Sequence, residues 1–271
     1  MRLKGFANGW YALAFSKEVR EGKRVRRRLM NQDVHLTRTR AGTPEVAAGR
    51  WRWPAHERHG VILAWPGDRP AWEVRPIEPE HDALEWSAPA ARTWRIRTHP
   101  QEIIENTVDV AHFSSVHRYT KIEVTRELAI DGPHLTRGYA VARNRGLLRM
   151  QLDITASGVG YSRVQVSAHG LRLRTVVMPT PIGDDLTEVR VVTQIALVPS
   201  RAHALARVLP RRLIANGIVQ LAASEMGKDF AADIRIWETK QYLDPPRLVA
   251  GDGPIGPYRR WARQFYREVS V

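Results

Sequence analysis

The side chains with the most evident chemistry lie in one short run, Glu105-Asn106-Thr107-Val108-Asp109-Val110-Ala111-His112-Phe113-Ser114-Ser115-Val116-His117. Asn106, Asp109 and His112 recur every three residues, which on a helix places them on one face. His117 lies five residues beyond His112 and is out of helical register with it. The two imidazoles meet only if the helix ends and the chain turns near Ser114 and Ser115. Brought together in that way, they can take adjacent corners of one metal ion. Asp109 is then placed to hydrogen-bond the far nitrogen of a histidine and fix its tautomer. A carboxylate at a third corner would complete a facial triad, leaving positions on Fe(II) for oxygen and substrate. Several carboxylates could fill that corner, and spacing alone does not choose among them. The plainer alternative is a set of hydrogen-bonded polar residues lining a pocket.

Composition narrows the chemistry. The chain has 271 residues, 43% hydrophobic and 8% aromatic, enough for one large domain or two unequal ones. It has no cysteine, which excludes disulfides, zinc–thiolate sites, thiol nucleophiles and clusters held by thiolates on these residues. Ten histidines and the carboxylates remain as metal donors. The formal net charge is +14, and residues 1–40 carry eleven Lys/Arg against three Asp/Glu, with a cluster at Arg24, Arg26, Arg27 and Arg28. Such a patch can attract phosphate, acidic lipid or an acidic protein partner, or can simply be a solvated face. No zinc finger, basic zipper or aromatic RNA-binding signature accompanies it, so nucleic acid is not an expected partner. The N-terminal apolar stretch is short and broken by Asn8, Gly9 and Trp10, which does not read as a signal peptide. No apolar run is long enough to span a membrane. A cytoplasmic protein is expected.

The elements that must position these residues follow from periodicity. Residues 10–40 read as strand, turn and strand, and VILAW at 61–65 as a buried strand. The Pro-rich, acidic stretch 66–90 reads as a loop or linker. A single helix is expected from Pro100 to His112. Six strand candidates fill residues 121–198, closely spaced and therefore antiparallel. Residues 201–240 read as a helix, 244–257 as a Pro/Gly loop and 258–268 as a short aromatic, basic helix. The fold class is α+β: an antiparallel sheet with flanking helices, preceded by a small all-β piece. A curved sheet closed by a long helix makes an apolar pocket. The nine tryptophans read as core and pocket walls.

The Glu-Asn-x-x-Asp-x-x-His-x-x-x-x-His string resembles the catalytic motif of Rieske-type non-haem iron oxygenases. Four further stretches resemble one branch, the 3-ketosteroid 9α-hydroxylases and cholesterol 7-desaturases: GFANGWYALAFSKEV at 5–19, ERHGVILAW at 57–65, ADIRIWETKQYLDPP at 232–246 and DGPIGPYRRWARQFY at 252–266. They sample the chain from end to end. The resemblance implies that His112 and His117 are iron ligands, with Asp233 the third. It implies that Asp109 is the carboxylate linking the iron to the cluster of a neighbouring subunit, and that Asn106 is a neighbour of the site. It also implies a helix-grip-like catalytic domain over 76–271 and a truncated Rieske-like β remnant over 1–75. The Cys-x-His and Cys-x-x-His loops of the family are missing between Arg40 and Trp53, so mononuclear Fe(II) is expected without a [2Fe-2S] cluster in this chain. His56 and His59 fall in the retained strand region and are expected to be surface or core polar residues.

Three functions are compatible with this reading. The chain is an oxygenase component that hydroxylates or desaturates a hydrophobic, steroid- or polyketide-like substrate. Its electrons then arrive in trans from a Rieske-bearing paralogue, ferredoxin or reductase, in a homo- or hetero-trimer. The metal site is otherwise turned to redox-neutral work, as an isomerase, cyclase, lyase or hydrolase. The third reading is a non-catalytic binding or partner subunit, against which the retention of all three ligand types argues.

Overall fold

The computed structural model of the protein describes residues 5–75, 84–197 and 211–266. A seven-stranded antiparallel sheet dominates it. Its strands are β8 (Ala90–Ile96), β9 (Lys121–Asp131), β10 (His134–Arg143), β11 (Leu148–Ser157), β12 (Ser162–Ala168), β13 (Leu171–Pro181) and β14 (Thr187–Ile195). The spatial order is β8-β14-β13-β12-β11-β10-β9, so six consecutive strands form a meander and β8 closes its far side. The β12–β13 turn shows why the meander is tight. His169 and Gly170 both take positive φ, 48° and 78°, the geometry of a two-residue hairpin whose twist matches its strands.

Alternation assigns the two faces of the sheet. Val189 and Val191 of β14 and Trp94 and Ile96 of β8 face the long helix α3 (Arg211–Thr239), where Phe230, Ile234 and Trp237 pack on them. A second patch, Ala90 and Ile195 against Ala215, Val219 and Ala223, continues that contact along the helix. Each fully buried aliphatic or aromatic side chain contributes about 1.5–3 kcal/mol, so this seam fixes the helix firmly on the sheet. The shorter helices α1 (Pro100–Glu105) and α2 (Val110–Ser115) lie in the β8–β9 connection. Helix α4 (Ile255–Arg263) buries Tyr258, Trp261 and Ala262 against Ile104, Val108 and Leu135.

The opposite face carries the N-terminal strands. β1 (Tyr11–Phe15), β7 (Val61–Ala64) and β6 (Ala55–Arg58) form one sheet, while β2 (Val25–Leu29), β3 (Gln32–Arg38), β4 (Pro44–Ala48) and β5 (Trp51–Trp53) form another. Period-two alternation lets β1 and β7 serve two cores. Tyr11, Leu13, Ile62 and Ala64 pack against β2–β4, while Ala12, Val61 and Leu63 pack against Tyr161, Val176 and Met178 of the large sheet. Two polar side chains pin that contact: Thr180 Oγ1 and Arg190 Nη1 both donate to the Ala12 carbonyl, at 2.7 and 2.8 Å.

The six strands expected over 121–198 are those observed, and the α+β class holds. Strand β8 was not expected, because AARTWRI follows the Pro-rich stretch read as a linker. The single helix expected from Pro100 to His112 is two helices, broken over 106–109. Helix α3 occupies the described part of the expected 201–240 helix, and residues 201–210 lie outside the described residues, as do His81 and His203. The final helix starts earlier than expected, at Ile255. Among the described residues no helix is long and apolar enough to cross a membrane.

Candidate metal centre

The break between α1 and α2 builds the site. Asn106 ends α1 as its C-cap. The backbone then turns extended at Asp109, which becomes the N-cap of α2, its carboxylate accepting the His112 amide N–H at 3.2 Å. That satisfies one of the orphan donors of a helix start. Helix α2 lasts only six residues, so the chain reverses directly after Ser115. Arg118 takes a positive φ of 58°, and the Tyr119 amide closes back onto the Phe113 carbonyl at 3.0 Å. This is the turn that the five-residue spacing of the histidines requires. His117 folds back toward His112, their rings 5.0 Å apart and nearly perpendicular at 80°.

The third side chain comes from α3. Asp233 is buried at 6% exposure, and its Oδ2 lies 3.3 Å from His117 Nε2. His112, His117 and Asp233 offer three ligand atoms within 4.8 Å of one another, and no other such cluster occurs among the described residues. The donor chemistry fits a divalent first-row metal: two imidazoles and one carboxylate suit Fe(II) and leave coordination positions open. His112 is prepared for that role in two ways. Its Nδ1 bonds the Asp109 backbone carbonyl, which leaves Nε2 as the free donor. Burial lowers its pKa, outweighing the nearby Asp233 carboxylate, so the ring is held in the neutral form a ligand needs.

The other expected residues take different places. Asp109 does orient His112, but through its backbone carbonyl, while its carboxylate caps the helix. With α1 and α2 separate, Asn106, Asp109 and His112 do not share one helix face, and Asn106 is not part of the group formed by His112, His117 and Asp233. His56 packs against Trp10, their rings 4.3 Å apart and tilted by 41°, and His59 Nε2 lies 3.0 Å from the Tyr161 hydroxyl, so both belong to the N-terminal packing. Asp229 lies against His117 and is paired in turn with Arg143, and neither residue stands out in the sequence as part of the site. The available signal for Asp229 was its position one helical turn before Asp233.

Phe113 packs beside His112 with rings 4.4 Å apart, Tyr119 beside His117 at 6.3 Å, and Tyr139 stands behind Phe113, their rings 5.0 Å apart edge to face. The same side of β10–β12 carries Val141, Met150, Leu152, Val164 and Val166, of which Met150, Val164 and Val166 remain half-buried. An apolar wall therefore joins the candidate site through Phe113, whose ring lies against that of His112. A cleft of about 600 Å³ lies elsewhere, on the opposite face of the sheet between β2, β8 and β14. It contains Arg26 and Arg27 of the basic cluster, but these pair with Asp33 and Glu18, and Arg190 and Arg95 there pair with Glu188. Much of the local charge is thus neutralised.

Comparison with known proteins agrees with the motifs. Residues 65–266 match the 3-ketosteroid 9α-hydroxylase C-terminal domain, and the chain belongs to that family. It is 26% identical over 243 residues to the oxygenase component of a 3-ketosteroid-9-alpha-monooxygenase from Rhodococcus rhodochrous, covering 83% of this chain and 60% of that protein. It is 26% identical over 242 residues to a cholesterol 7-desaturase from Caenorhabditis elegans, covering 80% of this chain and 55% of that one. The chain thus spans little more than half the length of these relatives. Among solved structures it resembles dicamba monooxygenase bound to dicamba, with a TM-score of 0.62, 12% identity and coverage of 97% and 98%. NdmB of Pseudomonas putida CBB5 gives 0.66, 11% identity and coverage of 94% and 89%. These last two likenesses establish the fold.

Proposed function

We propose that the chain is the catalytic component of a mononuclear non-haem iron oxygenase that hydroxylates or desaturates a hydrophobic, steroid- or polyketide-like substrate. The observation that carries this reading is the convergence of His112, His117 and Asp233 from three separate positions of a chain whose relatives are monooxygenase components and a desaturase. Bound there, Fe(II) would supply oxygen activation at its open positions. The protein's part is to hold and shield. The Asp109 carbonyl sets the His112 tautomer. Phe113, Tyr119 and Tyr139 exclude water beside the histidines, and Met150, Val164 and Val166 offer an apolar surface to a hydrophobic substrate.

With no cysteine in the 271 residues, electrons from a thiolate-held cluster must come from outside them. A Rieske-bearing paralogue, ferredoxin or reductase fills that role in this reading, and a homo- or hetero-trimer would place its cluster near Asp109. The same absence of cysteine favours a second reading, a redox-neutral metal enzyme in which the ion polarises a carbonyl or activates water.

Oxygen uptake and product analysis decide between them. The purified iron-loaded chain is given a steroid panel with ferredoxin, reductase and NADH. Donor-dependent oxygen consumption with hydroxylated or desaturated product supports the first reading. Turnover of the same panel without oxygen or donor overturns it in favour of the second.

A further inference from the structure

One helical turn before Asp233, Asp229 presents a second carboxylate to the same histidine. A spacing of four residues puts both carboxylates on one side of α3. Asp229 Oδ1 lies 3.9 Å from His117 Nδ1, while the ring's other nitrogen, Nε2, lies 3.3 Å from Asp233 Oδ2. The imidazole is therefore flanked by a carboxylate at each nitrogen. Its Nδ1 is buried and has no hydrogen-bond partner among the described residues. Buried ring nitrogens are rarely left so, and Asp229 is the acceptor that faces it.

Asp229 is itself held. Arg143, from β10, donates Nη2 to Asp229 Oδ2 at 2.8 Å. The Arg143 guanidinium lies over the Tyr119 ring, 4.3 Å from its centroid, and Tyr119 packs edge-on to His117 at 6.3 Å. One carboxylate oxygen is thus pinned and the other is left pointing at the histidine. A side-chain adjustment of roughly 1 Å brings the 3.9 Å contact to hydrogen-bond length.

Resting on the metal-centre reading above, we infer that Asp229 is a positioning residue for His117: its carboxylate accepts the Nδ1–H, commits Nε2 to the metal, and is oriented in turn by Arg143. His112 and His117 then differ in their supports. The first is held by a neutral backbone carbonyl and the second by an anion, which makes the His117 ring the stronger electron donor to the ion.

Co(II) serves as the probe, because its visible absorption reports the ligand field. Binding to the full chain is measured by anaerobic titration for the wild type and for Asp229→Asn, Arg143→Met and His112→Ala, with metal-free melting as the folding control. Asp229→Asn is expected to weaken Co(II) binding about 10- to 100-fold and to shift the visible bands, with metal-free melting close to wild type. Arg143→Met, which leaves the carboxylate in place, is expected to lose less. The inference is overturned if Asp229→Asn binds within about twofold of wild type with unchanged bands. It is equally overturned if both variants lose affinity only in proportion to lost folding. A wild type that binds no Co(II), or a His112→Ala variant that binds as tightly as wild type, removes the metal-centre reading and the inference together. A silent Asp229→Asn alone removes only the inference.

Discussion

His117 Nε2 stands 3.3 Å from Asp233 Oδ2, joining the turn that follows a six-residue helix to the far end of a 29-residue one. Neither element would fix the contact alone. The short helix is set by its Asp109 cap and by the reversal at Arg118, and the long helix is set by Phe230 and Trp237 on the sheet. The site is thus a consequence of packing between two elements distant in sequence.

Asp109 separates capping from orientation. Because the His112 ring is held by the Asp109 carbonyl, replacing the side chain removes the cap and leaves the ring bond. Asp109→Ala is expected to cost about 1 kcal/mol of stability while metal content stays at the wild-type level. Urea melts and iron assays on the same samples check this. Loss of iron without loss of stability would give the carboxylate a direct role at the metal.

Gly253 lies where the C-terminal loop crosses the α1–α2 break. Its φ is +57°, and an added Cβ would sit 2.2 Å from the Val108 carbonyl oxygen, next to Asp109. Gly253→Ala is expected to destabilise the protein by about 2–3 kcal/mol, because backbone rather than a flexible side chain must yield. Thermal melting shows the size of the effect.

The buried charges beside the site form a clamp. Glu105 accepts from Arg259 Nε at 2.7 Å and Nη2 at 3.0 Å, and from Lys240 Nζ at 2.7 Å, tying α1 to α4 and to the residue just beyond α3. Arg259→Ala leaves a buried carboxylate with one partner in place of two. A loss of about 3–5 kcal/mol is expected in chemical denaturation.

Acid should unfold the protein through its buried neutral histidines. Burial lowers the His99 pKa to about 4, against a weaker opposing bond to Gly5. Burial and nearby arginines lower His59 to about 3, and burial with Arg58 lowers His56 to about 4. A histidine whose folded pKa lies below its unfolded value of about 6.5 binds more protons when unfolded, so stability rises with pH. Its contribution is complete above about pH 6.5 and is lost as pH falls through the folded value. His99 also caps α1, its Nδ1 accepting the Gln101 amide at 3.1 Å, a bond that protonation abolishes. Urea midpoints are therefore expected to be flat above neutrality and to fall from about pH 6.5 toward 4, with a shallower fall in His99→Gln.

Much of this was legible in the sequence, and the exceptions have physical causes. Strands β9 to β14 announce themselves by alternation and turn residues. Strand β8 does not, because Ala90 to Ile96 mixes arginines among its apolar residues and follows prolines. The two histidines were readable as a pair from spacing and the turn it demands. Asp233 was not, since any carboxylate satisfies the chemistry, and only the DIRIWE resemblance selected it. The helix break was missed because Ile103, Ile104, Val108 and Ala111 keep helical spacing across it, although Asp109 three residues before His112 is itself a capping pattern. Asp229 and Arg143 meet only because α3, packed on β8 and β14, brings the Asp229 side chain to the end of β10, which no local pattern encodes.

One metal ion held by His112, His117 and Asp233 is the central requirement of the proposed function. Anaerobic Fe(II) titration of the full chain, followed by iron determination after gel filtration, tests it most directly. The wild type is expected to retain about one iron per chain, and Asp233→Ala and His112→Ala close to none. Full iron retention in Asp233→Ala would contradict it.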